Sequence, residues 1–214
     1  MLQAMPTKRG TGLLVLGDYY DLQNLYAAVH KLADRAEKAQ PPHSGLLLGF
    51  AYELRKAYDG KRLTHHDPAT GITYSGFQYL WTDILLITNV LRFQAGQVLM
   101  TEVEQACLYL LEAATKSALM AYDPHGAAAL LALVGRGLWI HEPLLEPMIQ
   151  LIDLRYMLEK PSKARFRTIA SRLLALSGTH PQGQQLVQHL TNQAAQLGCS
   201  PEELYTEYPE TIVW

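Results

Sequence analysis

The chain has 214 residues, 49% of them hydrophobic and only 18% charged, with 18 Lys+Arg against 20 Asp+Glu and a formal net charge of −2. A chain of that size buries a sufficient core without disulfides or metal. The missing basic excess argues against a dedicated nucleic-acid binder, whose affinity comes largely from neutralising phosphates. The charge fraction lies below the usual ~25%, and sparse charge points to a surface that meets a partner or a second copy.

Gly12–Gly17 is a short apolar run bounded by glycines and reads as a buried strand. Asp18 and Asp21 then stand where a helix begins, one accepting from orphan amides and the other placing charge at the positive end. Leu22, Leu25, Tyr26, Val29 and Ala33 trace one face of that helix to about Ala39, with Pro41-Pro42 read as its end. A second helix is expected from about Leu46 to Tyr58, stopped by Asp59-Gly60. Lys61–Asp67 and Gly71–Phe77 read as two strands joined through Asp67-Pro68-Ala69-Thr70-Gly71, a hairpin.

From Leu80 the period is helical. Trp81–Phe93 is apolar nearly all round, as expected of a central buried helix. Thr101 and Glu104 form a capping box. Val103, Ala106, Cys107, Leu110, Leu111, Ala114 and Ala118 are read as the core face of the helix it opens, closed by Asp123-Pro124. Ala127–Leu138 reads as a closely packing helix, and Pro143 or Pro147 as the start of one running to about Glu159. After a break at Lys160–Lys163, Phe166, Ile169, Ala170, Leu173 and Leu174 form another stripe. A second break at Gly178–Pro181 precedes a helix over about Gln182–Leu197. Ser200-Pro201-Glu202-Glu203 is a further cap, and Tyr205–Trp214 shows no period.

With all strand signals before residue 80, the expected fold class is α+β, predominantly α-helical: a strand plus hairpin packed on a multi-helix core. Residues 1–122 form the α+β region and 123–214 a helical extension sharing its core. Cys107 and Cys199 do not make a disulfide framework, which suggests a reducing compartment. Met1–Thr11 has no apolar run of signal-peptide length. Ile84–Leu91 and Ala127–Gly135 are far shorter than the ~20 residues of a membrane span. The expected setting is cytoplasmic, with no membrane contact.

The run Gly17-Asp18-Tyr19-Tyr20-Asp21-Leu22, continuing through Leu25-Tyr26-Ala27-Ala28-Val29-His30, resembles a bacterial family of proteins of unknown function that opens on G-D-Y-x-D-L-x-x-L-Y-x-A-x-H. Tyr52–Gly60 and Leu80–Leu85 resemble later blocks of that family. The resemblance covers roughly the first 120 residues, supplies no activity, and implies a bacterial source and a cytoplasmic setting.

Candidate sites are sparse. The strand-to-helix edge at Asp18, Tyr20 and Asp21, with Arg55, Trp81 and Asp83, is a candidate ligand-binding region, although two aspartates repel an anion. His65-His66 on a strand point to opposite faces, so no metal is expected there, and no cofactor motif occurs. Gly135-Arg136-Gly137 with His141-Glu142-Pro143 reads as an inter-helix turn. Lys160, Lys163, Arg165, Arg167 and Arg172 cluster, and Arg165, Thr168 and Arg172 share one face of an ideal helix, suited to phosphates or an acidic partner. The acidic tail carries Tyr205, Tyr208 and Trp214, suited to docking.

The leading expectation is a non-enzymatic interaction or regulatory protein, a homodimer or bound to another protein, acting through helical surfaces and this tail. An enzyme or small-ligand domain with a pocket near Asp18–Asp21 is the alternative. A nucleic-acid-associated factor using residues 160–172 is a further one, possible but not favoured.

Overall fold

The computed structural model describes residues 1–39, 41–69, 71–136, 143–176 and 180–214. Four antiparallel strands form one sheet in the order β1-β2-β4-β3: β1 Gln3–Pro6, β2 Gly12–Gly17, β3 Leu63–His66 and β4 Thr73–Leu80. All lie within the first 80 residues, and helices dominate the remainder, so the fold is α+β and mainly α. The 63–80 segment is the expected hairpin. β1 is an addition, a four-residue edge strand whose half-exposed polar and apolar positions give no apolar run to read. At the centre of the sheet Leu16 faces Gly76. A Cβ at Gly76 would run into the Val15 carbonyl oxygen, so this close approach of strands requires glycine there.

Helices α1 (Tyr19–Ala39) and α2 (Pro41–Tyr58) pack side by side. Pro41-Pro42 therefore does not only end α1; it starts α2, about five residues earlier than expected. Proline suits a first helical turn because the amide it lacks has no intrahelical partner there. Helix α3 (Trp81–Ala95) is central, touching α1, α2, β4 and the later helices, and almost every residue from Trp81 to Leu91 is buried.

Helix α4 (Glu102–Tyr122) opens on the expected Thr101–Glu104 capping box. Its core face is Cys107, Leu108, Leu111, Ala114, Thr115, Ala118 and Leu119. Val103 and Ala106, expected in the core, lie on the exposed side because Leu108, Thr115 and Leu119 rotate the buried stripe away from them. Helix α5 (Pro124–Leu131) is shorter than the expected Ala127–Leu138 element, and α6 (Leu145–Leu158) is capped at Leu144 rather than opened by Pro143 or Pro147. The Phe166 stripe is divided between α7 (Lys163–Arg167) and α8 (Ile169–Leu174) at Thr168. Helix α9 (Pro181–Leu197) ends at Gly198 in the left-handed conformation (φ +70), and a 3₁₀ turn at Pro201–Glu203 carries the expected cap.

One hydrophobic cluster runs from Leu2 through Leu204, including Trp81, Tyr156 and Phe166. Among the described residues no helix is long and apolar enough to cross a membrane.

Candidate functional site

Helix α6 presents Ile149, Ile152 and Tyr156 to the core, and Asp153 lies on that same buried stripe, fully shielded from solvent. A carboxyl in that position must be satisfied by other groups. Thr82 at the start of α3 donates its hydroxyl to Asp153 Oδ1. Tyr208 in the tail donates its hydroxyl to Oδ2 at 2.8 Å. Asp83, next to Thr82, is hydrogen-bonded to the same carboxyl group. Burial raises the Asp83 carboxyl well above the usual aspartate value, and the neighbouring Asp153 raises it further. Asp153 is pushed up to about 6 by burial, opposed by the three hydrogen bonds it receives.

The order of ionisation follows from those directions. Asp153 gives up its proton before Asp83, which donates its own toward the ionised Asp153, so the fully buried Asp153 and the half-buried Asp83 share a proton. Tyr79, on the adjoining strand, is also held in its neutral form by burial and by the two acids. Tyr208 covers Asp153, which is shielded from solvent, while Asp83 is half-buried.

Three further contacts hold the tail to its own chain. Thr206 N–H donates to Gln150 Oε1 at 3.0 Å, and Thr11 Oγ1 donates to the Val213 carbonyl at 2.6 Å. Trp214 lies beside Glu53, Arg62 and Phe77 against the sheet. Tyr205 is 76% exposed.

The basic cluster is largely committed internally. Arg165 is 3% exposed. Its guanidinium donates to the carbonyls of Tyr156, Glu159 and Arg9 and to Thr11 Oγ1 at 3.0 Å, and it stacks on the Tyr156 ring. Arg165 is thus a buried staple that also orients the Thr11 hydroxyl holding Val213. Arg167 pairs with Asp123 at 2.7 Å, and Arg172 pairs with Glu159 and Thr168. The shared face expected for Arg165, Thr168 and Arg172 does not form as a free basic surface, because the chain breaks between α7 and α8 and turns Arg165 inward. Lys160 and Lys163 are exposed.

The residues expected around Asp18 are dispersed. Asp18 and Asp21 cap α1 reciprocally, with Asp21 N–H donating to Asp18 at 2.8 Å, and the Met1 amino group sits 2.8 Å from Asp21. Tyr20 is exposed and edge-on to Tyr19. Arg55 lies over the Tyr52 ring. Trp81 is buried edge-on to Phe166, with its indole N–H lacking a partner. The residue that links two of the expected sites is Asp153, which brings Asp83 and Tyr208 together. It could have been found as a lone acid at the i+4 position of the Ile149–Tyr156 stripe.

His65 and His66 are exposed on the edge strand β3. Among the described residues no three or more His, Cys, Asp or Glu side chains gather as for a metal ion. Of the Gly135–Pro143 turn, Gly137, His141 and Glu142 lie outside the described residues, while Arg136 N–H donates to Asn89.

The chain matches a domain of unknown function, DUF6904, over residues 2–214, and it belongs to that family. The match continues well past residue 120, through the helical C-terminal region. No curated protein and no solved structure matches it.

Proposed function

We propose that this DUF6904 member is a protein-interaction or regulatory protein, acting through its helical surfaces, with residues 204–214 as a segment whose docking is regulated. The observation that carries the reading is the tail anchor: the Tyr208 hydroxyl reaches the fully buried Asp153 carboxyl, which is hydrogen-bonded to the neighbouring Asp83. Of the tail's anchors, the Tyr208 hydroxyl is the one that ends on a titratable side chain, and an anchor on a titratable group can be strengthened or weakened by a proton. Release would expose an acidic, aromatic strand with Glu207, Glu210, Tyr205, Tyr208 and Trp214 and no basic residue, suited to a basic partner surface. Two free cysteines fit a reducing, cytoplasmic setting.

Parallel capture from a host lysate with the intact chain and with a chain lacking residues 204–214 tests the reading. A stoichiometric partner whose capture changes with the tail supports it. Identical captures without a stoichiometric partner overturn it.

A second reading, a small-anion site, is favoured by a hollow of about 400 Å³ between α6, α8 and α9. Arg155, Arg172, His189, Gln182 and Gln185 line it over Ile152 and Leu186. Calorimetry with inorganic phosphate at low salt tests it, and no heat at millimolar phosphate removes it.

A further inference from the structure

The exposed side of α4 is apolar where a surface helix is ordinarily charged. Val103, Ala106, Leu110, Ala113, Ser117 and Met120 alternate spacings of three and four residues, the repeat of a coiled-coil seam. The opposite face, Cys107, Leu108, Leu111, Thr115 and Leu119, is already buried in the chain's own core. Val103 is 60% exposed, Met120 42% and Tyr109 56%, while Ala106, Ala113 and Ser117 are exposed and Leu110 half-buried. Leu99, just before the helix, is 95% exposed. Its carbonyl accepts from Lys31 Nζ at 2.9 Å, so its outward position is held. A groove of about 210 Å³ runs beside the seam, where Leu2, Asn24 and Leu25 face Val103 and Leu110.

The tail does not cover this face, because its anchors lie on α6 and on the sheet side. The seam's own pattern names the occupant. Laid antiparallel against itself about a two-fold axis, it sets the apolar Val103 opposite Met120 at each end, the small Ala106 opposite Ser117, and Leu110 opposite Ala113 at the centre, so no charged side chain falls in the seam. Charge selects the direction. Glu102 at the start of the helix and Lys116 two heptads later flank the seam on one side, and neither has an ionic partner among the described residues. Antiparallel pairing keeps the same flank of both helices together and brings each Glu102 toward Lys116 of the second copy, twice by symmetry, whereas parallel pairing places these residues on opposite sides of the seam and forms no such pair.

We infer that α4 is a homodimer interface, with a second copy of this chain packed antiparallel along the Val103–Met120 face. This rests on the proposed interaction role of the helical surfaces and is independent of the tail latch. The seam is about 26 Å long and of ordinary helix width, so the contact falls at the small end of specific interfaces and gives a weak, concentration-dependent dimer.

Sedimentation equilibrium of the intact chain between about 5 and 500 µM tests it, with a dissociation constant of order tens of micromolar expected. Ala113→Glu, at an exposed position, abolishes the dimer while leaving the far-UV spectrum unchanged. Lys116→Glu weakens it about tenfold, and adding Glu102→Lys restores it. Deleting residues 204–214 leaves the dimer intact. A monomeric mass throughout, or a dimer that Ala113→Glu does not touch, overturns the inference. A dimer lost only on tail deletion overturns it too, in favour of tail exchange between copies, while the lysate capture judges the regulated tail separately.

Discussion

The Tyr208 hydroxyl donates to Asp153 Oδ2 at 2.8 Å, across 55 residues of chain, and is the one tail side chain that reaches the buried carboxyl pair among the described contacts. Tyr208→Phe keeps the ring and removes that donor. A hydrogen bond to a charged group contributes about 1.5–3 kcal/mol, so urea denaturation should show a loss in that range. Chymotryptic cleavage after Tyr205 should quicken at the same time.

Stability should depend on pH through the pair, and the sign is set by two raised carboxyl values. Asp83 and Asp153 hold protons more tightly folded than unfolded, so the folded chain binds more protons above the ordinary aspartate value of 3.8. The pair's contribution is therefore fullest below that value. It declines as pH rises through about 6, where Asp153 ionises, and falls further as Asp83 loses its proton. Asp83→Asn keeps a donor toward Asp153 and removes the titration. It should raise stability at pH 8 by about 1–3 kcal/mol and flatten the profile above pH 6, as read by thermal denaturation across pH.

Arg165→Ala should cost about 3–5 kcal/mol, because it leaves the Tyr156 and Glu159 carbonyls without their buried donor. Arg165→Lys should recover little, since an ammonium cannot reproduce the fork that reaches Tyr156, Glu159, Arg9 and Thr11 together. Calorimetric unfolding measures both. A stability near that of the unaltered chain would show that the buried staple contributes little.

Gly76→Ala should destabilise by at least about 2 kcal/mol, because the added methyl meets the Val15 backbone rather than a movable side chain. Denaturant unfolding checks this, and an unchanged midpoint would contradict the close strand approach.

Much of the fold was legible because its signals are local. The Gly12–Gly17 run, the Thr101–Glu104 box and the all-round apolar Trp81–Leu91 segment each carry their own period or cap. The failures came where tertiary context decides. Pro41-Pro42 stops one helix and starts another with the same chemistry. Val103 was read as core because two apolar stripes compete on α4, and only packing shows which is covered. Arg165 reads as surface because nothing in a cluster of five basic residues reveals one guanidinium turned toward backbone carbonyls. The carboxyl pair joins residues 70 positions apart on different helices, so Asp153 was readable only as a lone acid on an apolar stripe.

Fluorine NMR of the chain carrying 5-fluorotryptophan, with the Trp214 resonance assigned by Trp214→Phe, tests the regulated tail most directly. Removing the last shared proton leaves like charges on the buried Asp153 and the half-buried Asp83, which are relieved when water enters and the tail lifts. A docked Trp214 resonance is expected below about pH 6, giving way to a sharp, solvent-like one as pH rises further and Asp83 loses its proton, with Asp83→Asn remaining docked throughout. An unaltered chain whose Trp214 stays docked across that range, or an Asp83→Asn chain that releases it at the same pH, would contradict the account.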